Sequence, residues 1–226
     1  MALLAELGKK SWLTPDSKDK QALSSLEALE GARKTALLFL LAVITVLFFL
    51  FSITYVSRSQ YPDFQGLAAE PWMPLAQSWR LWLNTAFLVL ASSGLELAKR
   101  VNLPAQYGKL FLLWGGVILC SLAFIVGQLA LWQLLKQQGF LIASNPANSY
   151  FYLLTGIHGL HLLAGILVLG RGLYLLSRQA STETIRQSLQ LCAWYWHYLL
   201  LLWLYLFALL SAPAEAYNTI AAWCGL

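Results

Sequence analysis

Apolar residues gather into five long stretches, separated by short segments that hold nearly all the charge. The first, Thr35 to Ser57, contains no charged residue. The second, Ser78 to Ala98, is weaker, with Arg80 near one end and Glu96 near the other. Leu110 to Leu135, Ser149 to Gly170 and Ser188 to Ala212 complete the set. A hydrocarbon core about 30 Å thick takes roughly 20 apolar residues in a helix, and every stretch reaches that length. Backbone groups in lipid must bond within their own segment, so each stretch is expected to be α-helical. The pattern predicts an all-α membrane bundle of five transmembrane helices over residues 35–212, with spans near 35–57, 78–98, 110–135, 149–170 and 188–212. Residues 1–34 precede it and 213–226 follow it. Asn145-Pro146 and the group Pro62, Pro71 and Pro74 supply turn chemistry between spans.

Composition agrees. Of 226 residues, 59% are apolar or aromatic and 11% are charged, against about 25% charged in soluble domains. A soluble enzyme, a disordered tail and a fibrous repeat are all excluded. The net charge of +5 is a matter of topology. Lys9, Lys10, Lys18, Lys20, Arg33, Lys34, Lys99, Arg100, Lys109, Arg171, Arg178 and Arg186 fall on one side of the alternating spans; only Arg58, Arg80 and Lys136 fall on the other. Basic residues stay cytoplasmic, which predicts a cytoplasmic N-terminus and a periplasmic C-terminus and leaves no case for a nucleic-acid partner. Trp72, Trp79 and Trp82 fall at the expected outer interface, level with Trp132, Tyr150 and Tyr152. Residues 1–32 lack the long apolar run of a secretory signal. Within 16–33, Leu23, Leu26 and Leu29 recur at helical intervals, as in a short helix lying on a membrane surface or a partner. The three cysteines form no CxxC pair. No role is assigned to the outer tail.

Polar groups at membrane depth are the candidates for function. His158 and His161 lie in TGIHGLH, and His197 lies in AWYWH. At 1.5 Å per residue, the fourth-span pair lies about 14–18 Å from Ser149 and His197 about 14 Å from Ser188, all near the mid-plane. Thr155, His158, Gly159, His161 and Gly165 fall on one half of their helix, a face suited to close approach and cross-helix hydrogen bonding. Three readings of the histidines follow: uncharged and bonded within the bundle or to a partner subunit; lining a cavity and tuning a neighbour's proton chemistry; or ligating haem or metal. His197 with His158 or His161 would supply one axial pair and no second, and no carboxylate or thiolate accompanies them at that depth. Glu96 stands three and four residues before Lys99 and Arg100, which predicts ordinary helical ion pairing. Asn84, Ser92, Ser93 and Gln128 are groups of the kind that bond neighbouring helices. No hydrolase, zinc-protease, dinucleotide or P-loop pattern occurs.

The segments NPANSYFYLLTGIHGLHLLAG and AWYWHYLLLLWLYLF, with WLNTAFLVLASSGLELA and FIVGQLALW in order before them, resemble subunit III of the haem-copper terminal oxidases, the cytochrome c oxidase type. The likeness covers about residues 79–210. It implies an all-helical bundle of seven spans, or five in the shorter bacterial form. It marks His158, His161, Trp194, Trp196 and His197 as signature residues with a structural or lipid-binding role. Further implications are no haem, copper or other metal in this chain, packing against catalytic subunit I with subunit II in the same complex, bound phospholipid, support of proton uptake, and a lipid-lined route for dioxygen. The location implied is a bacterial inner membrane, with multiple passes. Two departures stand out. The first span has no glutamate where the family carries one, and His197 is followed by Tyr198 and four leucines where the family carries an aspartate.

The expectation is therefore a non-catalytic subunit of a proton-pumping oxidase that moves electrons from cytochrome c to dioxygen. The alternatives are an accessory subunit of a nitric oxide reductase or quinol oxidase, an independent small b-type cytochrome, and a small transporter or channel.

Overall fold

The computed structural model describes residues 17–64, 67, 79–103 and 105–224, without the side chains of 17–27, 214, 215, 223 and 224. Pro71, Trp72 and Pro74 lie outside the described residues, as do the side chains of Leu23 and Leu26. Among the described residues there are six helices and no strand: α1 Ser17–Arg58, α2 Trp79–Lys99, α3 Tyr107–Gln137, α4 Pro146–Ser177, α5 Thr182–Leu210 and α6 Ala214–Cys224. Five of them, Ala28–Arg58 of α1 and all of α2 to α5, are long and apolar enough to cross a membrane. This is the expected five-helix membrane bundle.

Two units divide the chain, residues 1–39 and 40–226. In the first, the described part is helical, and Lys34 pairs with Glu30 one turn before it at 2.7 Å. In the second, α2 packs against α3 and α5, and α4 against the same two helices, which closes a ring of four. Residues of α1 join the ring through large side chains. Ile44, Phe48, Ser52 and Tyr55 recur at helical spacing and are buried. Phe48 lies 5.9 Å from the His161 ring, and Thr45 shares a 2.9 Å hydrogen bond with Tyr198. The faces turned away from these contacts hold exposed Leu, Val and Phe, as a helix bordering lipid requires.

Helix ends follow local chemistry. Asn145 caps α4 by accepting from the Ala147 N–H at 3.1 Å, with Pro146 at the first helical position. Ser181 caps α5 in the same way through Thr184. Both α3 and α4 stop in a left-handed residue flanked by paired reverse bonds. After α3, Gly139 (φ 90°) bonds to Lys136 and Phe140 to Leu135. After α4, Gln179 (φ 51°) bonds to Leu176 and Ala180 to Leu175.

The C-terminal tail forms a helix that turns back onto the bundle. Tyr217 and Ala221 of α6 are buried. The Tyr217 hydroxyl donates to the Leu209 carbonyl at 2.8 Å. Tyr55, 3.2 Å away, is thereby left to donate to Tyr217, and its ring packs edge-on against Phe64, Tyr150 and Tyr217 at 5.4 Å each. A segment of uncertain purpose in the sequence thus ties the C-terminal end of α1 to α5.

The two left-handed positions differ in residue type. Gln179→Gly should raise stability by about 1 kcal/mol by relieving a strained side-chain-bearing residue, and Gly139→Ala should lower it by a similar amount. Thermal midpoints in one detergent check both signs.

Candidate functional site

Polar side chains inside the ring of helices form a seam that runs along α2 and reaches α3, α4 and α5. Near the N-terminal end of α2, Asn84 donates to Gln128 of α3 at 3.4 Å, and its amide leaves no room for a Cβ on Gly127. Beside it, Thr85 donates to the Leu81 carbonyl at 2.8 Å and accepts from the Trp203 indole at 2.9 Å. The Trp203 ring lies 5.2 Å from His158 and 4.9 Å from Phe124. On the far wall, Thr155 accepts from the Trp132 indole at 3.2 Å while donating to the Phe151 carbonyl at 2.6 Å. No water is present in hydrocarbon to satisfy these groups, so helix partners must.

The five signature residues do not share one site. His158 is fully buried, and its Nε2 meets the Leu199 carbonyl at 3.2 Å. A carbonyl only accepts, so Nε2 carries the hydrogen, and Nδ1 has no partner. His161 bonds its own helix, with Nδ1 donating to the Ile157 carbonyl at 2.8 Å; its own carbonyl accepts from Tyr195 of α5 at 3.0 Å. Trp196 is buried against α4, and a Cβ on Gly165 would stand 2.9 Å from its Cη2 and 2.8 Å from Tyr195 Cε1. Trp114 of α3 uses Gly172 of α4 in the same manner. Small residues admit two indoles that hold α4 between α3 and α5.

His197 and Trp194 point elsewhere. Trp194 is 47% exposed. His197 turns toward α2, where the Ser92 hydroxyl contacts Nδ1 and the Glu96 carboxylate lies 3.6 Å from Nε2. Ser92 and Nδ1 share a hydrogen bond in which either donates according to the ring tautomer, and the carboxylate stands at contact distance from Nε2. Glu96 also pairs with Lys99 at 2.5 Å, the i,i+3 contact expected from the sequence.

One expectation is corrected here. Counting residues along each span put Glu96 near an inner end and His197 near the mid-plane, apart from each other, with no acid level with the histidines. They are neighbours. Helix α5 begins well beyond the end of the shorter α2, so equal counts from the two ends do not mean equal depth. The signal was present in the unequal lengths of charge-free sequence, but only a register between helices could convert it to a contact. The Thr85–Trp203 bond and the Leu199 acceptor for His158 were beyond reach for the same reason.

A haem between His197 and a fourth-span histidine would need both rings on one gap. His158 contacts the Leu199 carbonyl, Phe124 and Trp203, whereas His197 engages α2. Among the described residues, no three His, Cys, Asp or Glu side chains gather as a metal would require.

Loss of the Thr85–Trp203 bond in Thr85→Val should lower stability by about 1 kcal/mol without changing helix content. Gly165→Ala should lower it by about 1–3 kcal/mol through overpacking against Trp196, more than the added helix propensity returns. Circular dichroism melts of each variant in detergent test both.

Residues 20–212 match the family model for cytochrome c oxidase subunit III. Similar proteins include one of Nocardia farcinica named a probable cytochrome c oxidase subunit 3, 29% identical over 204 residues covering 86% of this chain and 94% of the relative. The cytochrome c oxidase subunit 3 of Corynebacterium diphtheriae is 27% identical over 161 residues, 70% of this chain and 76% of the relative. That of the alga Prototheca wickerhamii is 28% identical over 180 residues, 78% of this chain and 67% of the relative.

Proposed function

The chain belongs to the cytochrome c oxidase subunit III family, and from that premise we propose that it is a non-catalytic subunit of a proton-pumping haem-copper oxidase passing electrons from cytochrome c to dioxygen. Membership implies a multi-subunit oxidase complex. Within it, this chain packs on the catalytic subunit I, with subunit II in the same assembly, and stabilises it. It sits in a bacterial inner membrane with its N-terminus cytoplasmic and its C-terminus periplasmic. That orientation places Lys99, Lys109, Arg171, Arg178 and Arg186 on the cytoplasmic side and Arg58, Arg80 and Lys136 on the other.

One observation carries the reading. The three intramembrane imidazoles are engaged within the bundle: His158 across helices to Leu199, His161 along its own helix to Ile157, and His197 across helices to Ser92 and Glu96. A chain arranged in this way contributes structure, and the redox groups belong to its partners.

Retained phospholipid is the second part of the proposal. A cavity of about 390 Å³ opens between α1, α5 and α6, bordered by Phe49, Ile53, Val56, Tyr205 and Leu209. Its one hydroxyl from α1, Ser52, is satisfied by the Phe48 carbonyl at 2.7 Å. A second cavity of similar volume, with hydroxyl-bearing Thr54, Ser149 and Tyr150 among its lining residues, lies between α1 and α4 beside Leu50, Phe51 and Leu153. The first groove, with walls so apolar, suits acyl chains.

A tagged copy purified in mild detergent should bring down a haem-bearing subunit, while the separated chain should show no Soret absorption. Recovery without any haem-copper partner would overturn the proposal, and a Soret band on the separated chain would favour the b-type cytochrome. His197→Ala removes a cross-helix link worth about 1 kcal/mol. It should lower the yield of complex and leave the spectrum and electron-transfer rate per assembled complex unchanged; normal yield with abolished turnover would contradict this.

A further inference from the structure

Hydrogen bonding inside the four-helix ring is interrupted at one point, where a donor and an acceptor are each left over. His158 donates through Nε2 to the Leu199 carbonyl, so its Nδ1 is an acceptor, and Nδ1 meets no donor. Gln128 accepts from Asn84 through Oε1, so its Nε2 is a donor, and Nε2 meets no acceptor. His158 is 0% exposed and Gln128 4%. Hydrocarbon offers no water from outside, so such groups must be met within the ring, by a side chain or by a water that the protein encloses.

The two groups stand at the same height. Trp132 lies beside Gly156 and Ile125 beside Gly159, which makes α3 and α4 antiparallel and gives their register. Between those two contacts, position 128 falls opposite position 158. Both residues also belong to the inner faces of their helices. Phe124, one turn from Gln128 on the buried face of α3, lies 5.8 Å from the His158 ring and 4.9 Å from Trp203 of α5. Trp203 in turn lies 5.2 Å from His158. These aromatic contacts reach across the ring, since α3 and α5 are not packed against each other.

Nearby hydroxyls do not fill the gap. Thr155, one turn before His158, directs its single hydrogen to the Phe151 carbonyl, and Thr85 directs its own to Leu81. Neither is free to donate to Nδ1. One neutral donor opposite one neutral acceptor, beyond reach of a direct bond, calls for a neutral ligand that both accepts and donates. Water is the smallest that does so, and buried waters are usually held by about two to four polar groups.

We propose that a single buried water bridges Gln128 Nε2 and His158 Nδ1. Its oxygen accepts from the Gln128 amide, and one of its hydrogens goes to the imidazole. Asn84, Gln128, the water, His158 and the Leu199 carbonyl then form one line, each group donating to the next, from α2 through α3 and α4 to α5. Bonds aligned in one sense strengthen each other. The line joins all four helices of the ring at one level, whichever complex the chain serves.

The test uses the full chain in lipid bilayers, with nitrogen-15 in its histidine rings and glutamine amides. With only three histidines, the ring signals are few. Solid-state magnetic resonance should show His158 with hydrogen on Nε2 alone and magnetisation passing from water protons to its Nδ1. The same water signal should reach Gln128 Nε2, a measurement that needs no variant. In Gln128→Leu the transfer to His158 should be lost while its Nε2 keeps the hydrogen. Absence of any water signal at His158 in the unaltered chain overturns the proposal. So does hydrogen on Nδ1, direct transfer from the Gln128 amide without water, or water transfer that persists in Gln128→Leu.

Discussion

Absence of water from the bilayer core governs this protein. A hydroxyl, amide, indole or imidazole at that depth has only the protein, or a water the protein encloses, to bond with, and several polar residues of the spans are placed accordingly. Thr85 serves Leu81 and Trp203 at once, Thr155 serves Phe151 and Trp132, and His158 reaches the Leu199 carbonyl. These bonds join helices that lipid alone would not press together, because hydrocarbon surrounds apolar side chains as readily as neighbouring helices do. Polar bonding therefore sets the partners of α2 to α5, and the large-on-small contacts of Trp196 with Gly165 and Trp114 with Gly172 set their spacing.

The same constraint divides the signature motifs by task. His158 and Trp196 face inward and order the bundle. His161 couples α4 to Tyr195 of α5 and borders Phe48 of α1. Trp194 and His197 face outward, which a purely internal framework does not need. A chain in which inward polar groups such as Thr85, Thr155 and His158 bond neighbouring helices, and in which Trp194 and His197 face outward, is suited to serving a partner.

Much of this was legible in the amino-acid sequence because the membrane restricts the choices so severely. Five apolar stretches could only be helices, and the TGIHGLH and AWYWH segments stood out as polar groups in charge-free surroundings. The Glu96–Lys99 pair followed from spacing on one helix. What spacing could not show was register. The meeting of Glu96 with His197 depends on α5 overrunning α2, and the bond from Trp203 to Thr85 joins residues 118 positions apart. Nor could the tail be read, since the value of Tyr217 lies in the Tyr55 hydroxyl and Leu209 carbonyl it meets. Local chemistry announces itself along a chain; contacts between helices do so only once their relative heights are known.

The central claim is that this chain shapes an oxidase without taking part in its electron chemistry. The most direct measurement is the initial rate of dioxygen reduction by the haem-copper complex before and after this chain is stripped from it, with the haem spectrum recorded alongside. The account predicts an unchanged haem spectrum and a largely retained initial rate. An unchanged spectrum with initial electron transfer abolished would show that a group essential to the reaction resides in this chain, and would contradict the account.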